Sequence, residues 1–376
     1  MLDQRRVANL PWGMVALIFA IALIGLATVY SATYTSKGPS TLYYRQLVWL
    51  AIGVIVMLLA LVVDYHTVGR YAYVLYAVSL LLLLLVMAIG RTGMGAQRWL
   101  AIGPFAFQPS ELAKLSVTLA LARYFAEDPK RGGYDLRDLA IPGVMVLIPL
   151  LLVLKQPDLG TALMLLLTSS LIIMIAGIRV RSVIVVLLIG ATIASAVFLV
   201  PPIRHKIWGK LKPYQQNRIT AFVDPGSDPL GSGYHANQSK IAVGSGQITG
   251  KGFRQGTQSQ MAFLPERHTD FIFAVISEEH GLIGAGLLVI LYLVLLLAGV
   301  DTATKAKDRL GVLMAGGIVS MISLYVFINV GMAVGIVPVV GVPLPLVSYG
   351  GTSIITTFLA LGLLLNIQMR RFMLFY

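Results

Sequence analysis

Phe263-Leu-Pro-Glu-Arg-His-Thr-Asp270 is a compact polar run set directly against an apolar one. It closes a stretch, from Pro201 to about Asp270, that holds no membrane-length apolar segment. Outside that stretch one apolar run follows another. Of the 376 residues, 57% are hydrophobic and 12% charged, more apolar surface than a soluble core needs. Runs of about 18 apolar residues mark helical spans, whereas membrane barrels alternate apolar with polar residues. No long alternation occurs here. The chain is therefore read as an all-α polytopic membrane protein, one membrane domain over 1–376 with 201–270 as a folded loop. A connection longer than about 15 residues is usually functional or disordered. The aromatics and glycine turns of this one, Trp208, Tyr234 and Phe253 among them, mark it as folded and functional.

Working outward, about ten spans are expected, at roughly 12–32, 45–63, 69–89, 109–126, 139–154, 160–177, 181–200, 271–299, 311–334 and 350–368. An even count puts both termini on one side. One set of short connections carries fourteen Lys and Arg (Arg5, Arg70, Arg131, Arg179, Lys305 and Arg371 among them), the other only Lys37, Arg45, Arg91, Arg98 and Lys155. Basic residues favour the cytoplasmic side. Both termini are thus expected in the cytoplasm, with the long loop between spans seven and eight outside. The first apolar run leads into Ser31-Ala-Thr rather than a small-x-small cleavage site, so it is read as a retained span. There are no cysteines, hence no disulfides or thiolate metal sites. The net charge of +13 reflects topology before nucleic acid. The excess within the long loop is the part topology does not explain. Its first segment, from Arg204 to Phe222, interleaves basic and aromatic residues as a membrane-surface segment does; recognition of a phosphorylated lipid and generic attraction to lipid headgroups fit it equally.

Three short connections on the same outer side carry candidate chemistry. Gln108-Pro-Ser-Glu-Leu-Ala-Lys114 places Glu111 and Lys114 three apart on one helix face. A capped helix start with a local ion pair accounts for them, and so does a polar cavity, since charge at membrane depth costs up to about 2.5–3.5 kcal/mol per residue. In Lys155-Gln-Pro-Asp-Leu-Gly160, Asp158 suits a helix cap. Val337 to Ser353 is an uncharged, proline- and glycine-rich loop whose irregular backbone needs protein neighbours; amides near Ser348 to Ser353 could seat an anion or simply cap a helix. Glu127 to Asp138 mixes both signs and reads as a solvated turn.

Within the long loop, Gly244-Ser-Gly-Gln-Ile-Thr-Gly-Lys-Gly252 lacks the spacing of a phosphate-binding loop, and that reading is rejected. The loop's end is its sharpest feature. Asp270 is either the cap of the eighth span or a general base in a cleft bordered by cations, with Glu278 returning near its face eight positions on. A straight helix from Asp270 to Gly299 would run about 45 Å, past the roughly 30 Å apolar core.

At these residues the chain closely resembles the SEDS family (shape, elongation, division and sporulation). The matching stretches are Arg98-Trp99 with Gln108 to Lys114, Gln156 to Thr161, Arg218 to Pro225, Gln238 to Ala242, Phe263 to Val275 and Pro345 to Ser353, in family order across nearly the whole chain. Lys212 to Arg218 and Gly256-Thr-Gln-Ser-Gln260 tilt the likeness towards its RodA-type members. The resemblance implies a peptidoglycan glycosyltransferase of the bacterial cytoplasmic membrane that polymerises lipid II at its outer face during elongation. It implies as partners a class B penicillin-binding protein, elongation-machinery membrane proteins and membrane lipids, and no nucleic acid. Asp270 matches the family's essential aspartate, and Glu111 and Lys114 its sensitive pair. On this reading Asp270 deprotonates the acceptor hydroxyl, and Arg98, Lys114 or Arg218 offsets the charge of the leaving pyrophosphate. Asp158 and His268 support the site, and a divalent cation, Mg or Mn, is the one cofactor to be considered. The rival readings are a flippase for the lipid-linked precursor and a non-catalytic scaffold.

Overall fold

The computed structural model describes residues 9–35, 38–93, 96–102, 105–199, 209, 216, 232–261, 263–264 and 266–371. Helix α1 (Trp12–Thr33) and α2 (Thr41–Val62) are uncharged or nearly so along their length, and 22 residues rise roughly 33 Å, the depth of a bilayer core. The third expected span divides at Tyr71 into α3 (Tyr65–Arg70) and α4 (Ala72–Ile89). There follow α5 (Pro109–Glu127), α6 (Ala140–Lys155), α7 (Leu159–Ala176) and α8 (Val180–Leu199). Past the long loop's start come α9 (Ser232–Ser245), the single turn α10 (Thr257–Gln260), α11 (Ile272–Thr304), α12 (Arg309–Val334) and α13 (Gly351–Arg370). Among the described residues, α1, α2, α4, α7, α11, α12 and α13 are each long and apolar enough to cross a membrane.

Three expectations are corrected. The chain is not all-α: the connection before α5 folds into an antiparallel sheet, β1 (Arg91–Gly93), β2 (Ala96–Ile102) and β3 (Phe105–Phe107), in the order β1-β2-β3. Arg91 pairs with Trp99 and Leu100 with Phe107. A hairpin pairs its own backbone groups, which lets a short connection form rigid structure. Second, the long loop, expected only to be folded, holds a helix, α9; Ser239 Oγ anchors it to Ala333 O of α12 at 2.8 Å. Third, α11 is not straight. Gly281, at φ 63° and ψ −162°, breaks it into 272–280 and 282–304. Residues 271–279 are all buried within the protein.

The core is built by α12 and α13, the two most buried of the long helices, with α5 and α7 packed on α12 and α2 on α13. At the end remote from the long loop, Asn366 donates to the carbonyls of Ala60, Leu61 and Val63 at 2.7–3.0 Å, closing the open end of α2. Arg370 meets Asp64 there at 2.6 Å and the Tyr65 hydroxyl donates to Asp308 at 2.7 Å.

Candidate active site

Pro109 starts α5 without sacrificing a hydrogen bond, because the first helical amides lack intrahelical partners. One turn on, Glu111 and Lys114 both turn into the protein, 5% and 3% exposed. Lys114 Nζ meets Glu111 Oε1 at 2.6 Å and also donates to the Tyr325 hydroxyl, which itself donates to Glu111 Oε2 at 2.9 Å. The ammonium lies 4.6 Å from the centre of the Tyr325 ring. The three side chains thus close on one another. The local ion pair of the sequence reading is present, and it is packed against Tyr325 of α12. A buried pair of this kind is kept in place by the cost of leaving either charge alone.

Above it, three helix starts converge. Asp158 caps α7 by accepting from Thr161 N at 3.2 Å, as its position predicts. Its other oxygen accepts from Gln108 Nε2 at 3.0 Å, and Gln108 N donates to Thr352 Oγ1 of α13 at 3.0 Å. Arg98, on β2, lies 3.9 Å from Asp158 and donates to Gln156 O at 3.2 Å and to Pro157 O. Arg98, Asp158, Glu111 and Lys114 are therefore gathered on one side of the molecule as the sequence reading anticipates, with Gln108 and Thr352 as the links it missed.

The turn 266–270 is held by its backbone. Tyr349 N donates to His268 O at 2.8 Å, Ser348 Oγ to Thr269 O at 2.6 Å, and Asn329 Nδ2 to Asp270 O at 2.9 Å. Asn329 also donates to Val342 O at 2.7 Å. The irregular stretch from Gly335 to Gly350 is thereby a cradle for the turn, and the Tyr349 amide expected to seat an anion is spent on it. Helix α11 begins at Ile272 with Phe271 as its cap residue and no side-chain capping bond, so Asp270 is not the helix cap. Asp270 is half-buried. His268 packs its ring 5.7 Å from that of Tyr349, and burial lowers its pKa, with Glu266 opposing and Arg267 reinforcing the shift. His268 is thus a neutral imidazole at neutral pH. Arg218 lies outside the described residues, as does most of the basic segment before it.

Asn329 and Tyr325 stand four apart on α12 and so share a face, joining the turn to the Glu111 pair within about 6 Å of helix rise. Neither was singled out from the sequence, although an asparagine inside an apolar run is itself a signal, since polar groups at membrane depth are costly.

Glu278 does not return to Asp270. It is fully buried on the opposite course, bound to Lys251 Nζ at 2.8 Å and to the amides of Gln258 and Ser259 at 2.9 and 3.1 Å. The glycine-rich run once comparable to a phosphate loop fills the break in α11. Lys251 N and Gly252 N donate to Glu278 O and Glu279 O at 3.0 and 2.9 Å, while Leu282 N and Ile283 N donate to Gln247 O and Ile248 O at 2.8 and 3.1 Å. A Cβ on Gly250 or Gly281 would collide with the opposing backbone. Broken helices at membrane depth need such replacement partners. Among the described residues no three His, Asp or Glu side chains converge.

The FtsW, RodA and SpoVE model, described as a cell cycle protein, matches residues 8–372. Peptidoglycan glycosyltransferase MrdB of Escherichia coli K12 is 40% identical over 361 residues, 96% of this chain and 94% of that protein. Peptidoglycan glycosyltransferase RodA of Treponema pallidum is 32% identical over 431 residues, covering 98% and 99%. Among solved structures, a chain from a peptidoglycan synthase complex that coordinates polymerization and crosslinking superposes with a TM-score of 0.81 at 34% identity, over 96% of this chain and 98% of that one. The rod shape determining protein RodA of Thermus thermophilus does so at 0.70 and 31%, over 97% and 98%.

Proposed function

The chain belongs to the FtsW, RodA and SpoVE family of cell cycle proteins, and from that premise we propose that it is a peptidoglycan glycosyltransferase with Asp270 as its general base. Its substrate is lipid II, a disaccharide-pentapeptide on undecaprenyl pyrophosphate. Asp270 takes the proton from the acceptor sugar hydroxyl as that oxygen bonds to the anomeric carbon of a second lipid II. The α-linked carbon–oxygen bond to pyrophosphate breaks with its electron pair, and inversion gives a β-linkage. The observation that carries this reading is the anchoring of the 266–270 turn by three backbone carbonyls. A base must be placed within hydrogen-bond reach of its proton, and here the main chain does the placing.

The supporting architecture is ten spans with both termini in the cytoplasm and the 201–270 loop outside, where lipid II is used. A class B penicillin-binding protein is the partner that crosslinks the product and activates the site, alongside other membrane proteins of the elongation machinery. Glu111, Lys114, Asp158 and Arg98 form the scaffold that fixes the helix starts around the site. The break at Gly281 is a feature also found in transporters, whose substrate sites often use broken helices. Here the gap is occupied by 247–252, which favours an enzyme over a carrier.

Purified protein in liposomes, with and without its partner, should convert lipid II to polymer, and Asp270→Asn should not. Leaflet exchange without polymer would favour the flippase, and neither activity the scaffold. Wild-type polymerisation by Asp270→Asn sinks the base assignment.

A further inference from the structure

The leaving pyrophosphate needs a cation, and the structure has already committed two that the sequence offers. Lys114 Nζ is enclosed by Glu111 and the Tyr325 hydroxyl, with the side chain 2% exposed. Arg98 is spent on the carbonyls of Gln156 and Pro157, with Asp158 alongside. Both hold helix starts together.

Arg267 is different. It lies three residues before Asp270 in the anchored turn, its Nη1 is buried, and that nitrogen has no hydrogen-bond partner. Arg267 forms no ion pair among the described residues. The nearest carboxylate in sequence, Glu266, is turned towards Thr269, whose hydroxyl donates to Glu266 Oε2 at 3.1 Å. Neighbouring His268 is neutral and brings no opposing charge. Burial accordingly lowers the pKa of Arg267. A buried donor nitrogen without a partner is costly, and a native orphan of this kind calls for an explanation. A guanidinium also cannot escape by losing its proton near neutral pH, and its planar fork of donors matches phosphate oxygens. A ligand anion resolves both the cost and the geometry.

We propose that Arg267 binds the pyrophosphate of the lipid-linked donor and stabilises the negative charge it gains as the anomeric bond breaks. This rests on the glycosyltransferase reading of the same turn. In the step, the bond's electron pair passes to the pyrophosphate oxygen, the guanidinium N–H groups donate to the phosphate oxygens, and Asp270 receives the acceptor's proton. Base and leaving-group partner then sit three residues apart on one backbone-anchored turn. That pairing fits a turn whose position is fixed through its carbonyls.

The test uses full-length protein in nanodiscs with its partner. Undecaprenyl pyrophosphate binding is measured for the parent, Asp270→Asn, Arg267→Gln and Arg267→Lys, with inorganic pyrophosphate and phosphatidylglycerol as competitors. Arg267→Gln should weaken binding at least tenfold and lower kcat on the order of 10²-fold, with Arg267→Lys recovering part of both. Asp270→Asn should bind like the parent yet fail to polymerise. Arg267→Gln should be at least as thermostable as the parent, since it removes a buried guanidinium nitrogen that has no partner; a residue that served only the fold would lower stability instead. Competition by inorganic pyrophosphate on the parent, absent in Arg267→Gln, supports the pyrophosphate assignment. Equal competition by phosphatidylglycerol reassigns Arg267 to lipid headgroups and overturns it. Unchanged binding and kcat in Arg267→Gln also overturn it, even where Asp270→Asn is dead, whereas polymerisation by Asp270→Asn overturns the reading beneath it.

Discussion

The Glu111–Lys114–Tyr325 cluster and the 266–270 turn lie one turn of α12 apart, and they are held in opposite ways. In the cluster, side chains bind side chains, and the hydrogen-bonding capacity of two charges is turned inward. In the turn, carbonyls are bound by Asn329, Ser348 and Tyr349. Charges in the first region are constituents of the fold; in the second, the main chain carries the anchoring bonds. Sensitivity to mutation would therefore arise in the two places for different reasons.

The largest effect should be on chemistry. Asp270→Asn is expected to lower polymerisation about 10²–10⁴-fold, the usual range for a lost general base, while its unfolding free energy stays within about 0.5 kcal/mol of the parent. Parallel turnover and thermal-unfolding measurements decide it, and a large fall in stability would merge the two regions into one kind. Glu111→Gln is the mirror image: leaving Lys114 charged and buried should cost about 3–5 kcal/mol of stability, with activity falling as the folded fraction falls. A variant that lost activity while unfolding like the parent would show that Glu111 acts on substrate as well.

Gly281→Ala probes the support beneath the turn. Its φ of 63° and ψ of −162° belong to a region essentially reserved for glycine, and occupying it with a side chain costs about 1–3 kcal/mol. The opposing backbone of Ile248 and Gly250 adds a collision. Faster proteolysis of the 247–252 segment, together with a lower melting temperature, is the expected signature. The smallest effect concerns pH. The folded pKa of His268 lies below the ordinary imidazole value because burial disfavours its charged form. Between the two values the unfolded chain binds a proton that the folded one refuses, so stability falls as pH drops below about 6.5. His268→Asn should flatten that part of the profile between pH 7.5 and 5, as read from melting temperatures. An unchanged slope would place the titration elsewhere.

Much of the architecture was legible because membrane spans are written locally. Twenty or so apolar residues in a row state their own length and environment, and the helices fall on the expected positions to within a few residues. Proline at the start of α5 and aspartate at the start of α7 act where helix-end chemistry places them. The sheet before α5 was missed because its strands are three to seven residues long and its register depends on pairing, not on any one strand's pattern. The glycines of 244–252 invited a phosphate-loop comparison because sequence shows that backbone can approach something closely, without showing what.

The sequence by itself determined that this is a membrane protein of many helices, with a long polar loop ending at Asp270, because hydrophobic length and charge are properties of contiguous residues. Only the tertiary structure decided which charges are consumed and which remain. Lys114 meets a tyrosine 211 positions away, and Thr269 a serine 79 positions away. Partners so distant leave no periodic trace, since the burial and hydrogen bonds that settle a charged group's role are formed when the helices pack. The polar run Phe263 to Asp270 reads as one cluster in the chain. Folded, it separates into a neutral His268, a backbone-held Asp270 and an Arg267 whose buried nitrogen has yet to meet its partner.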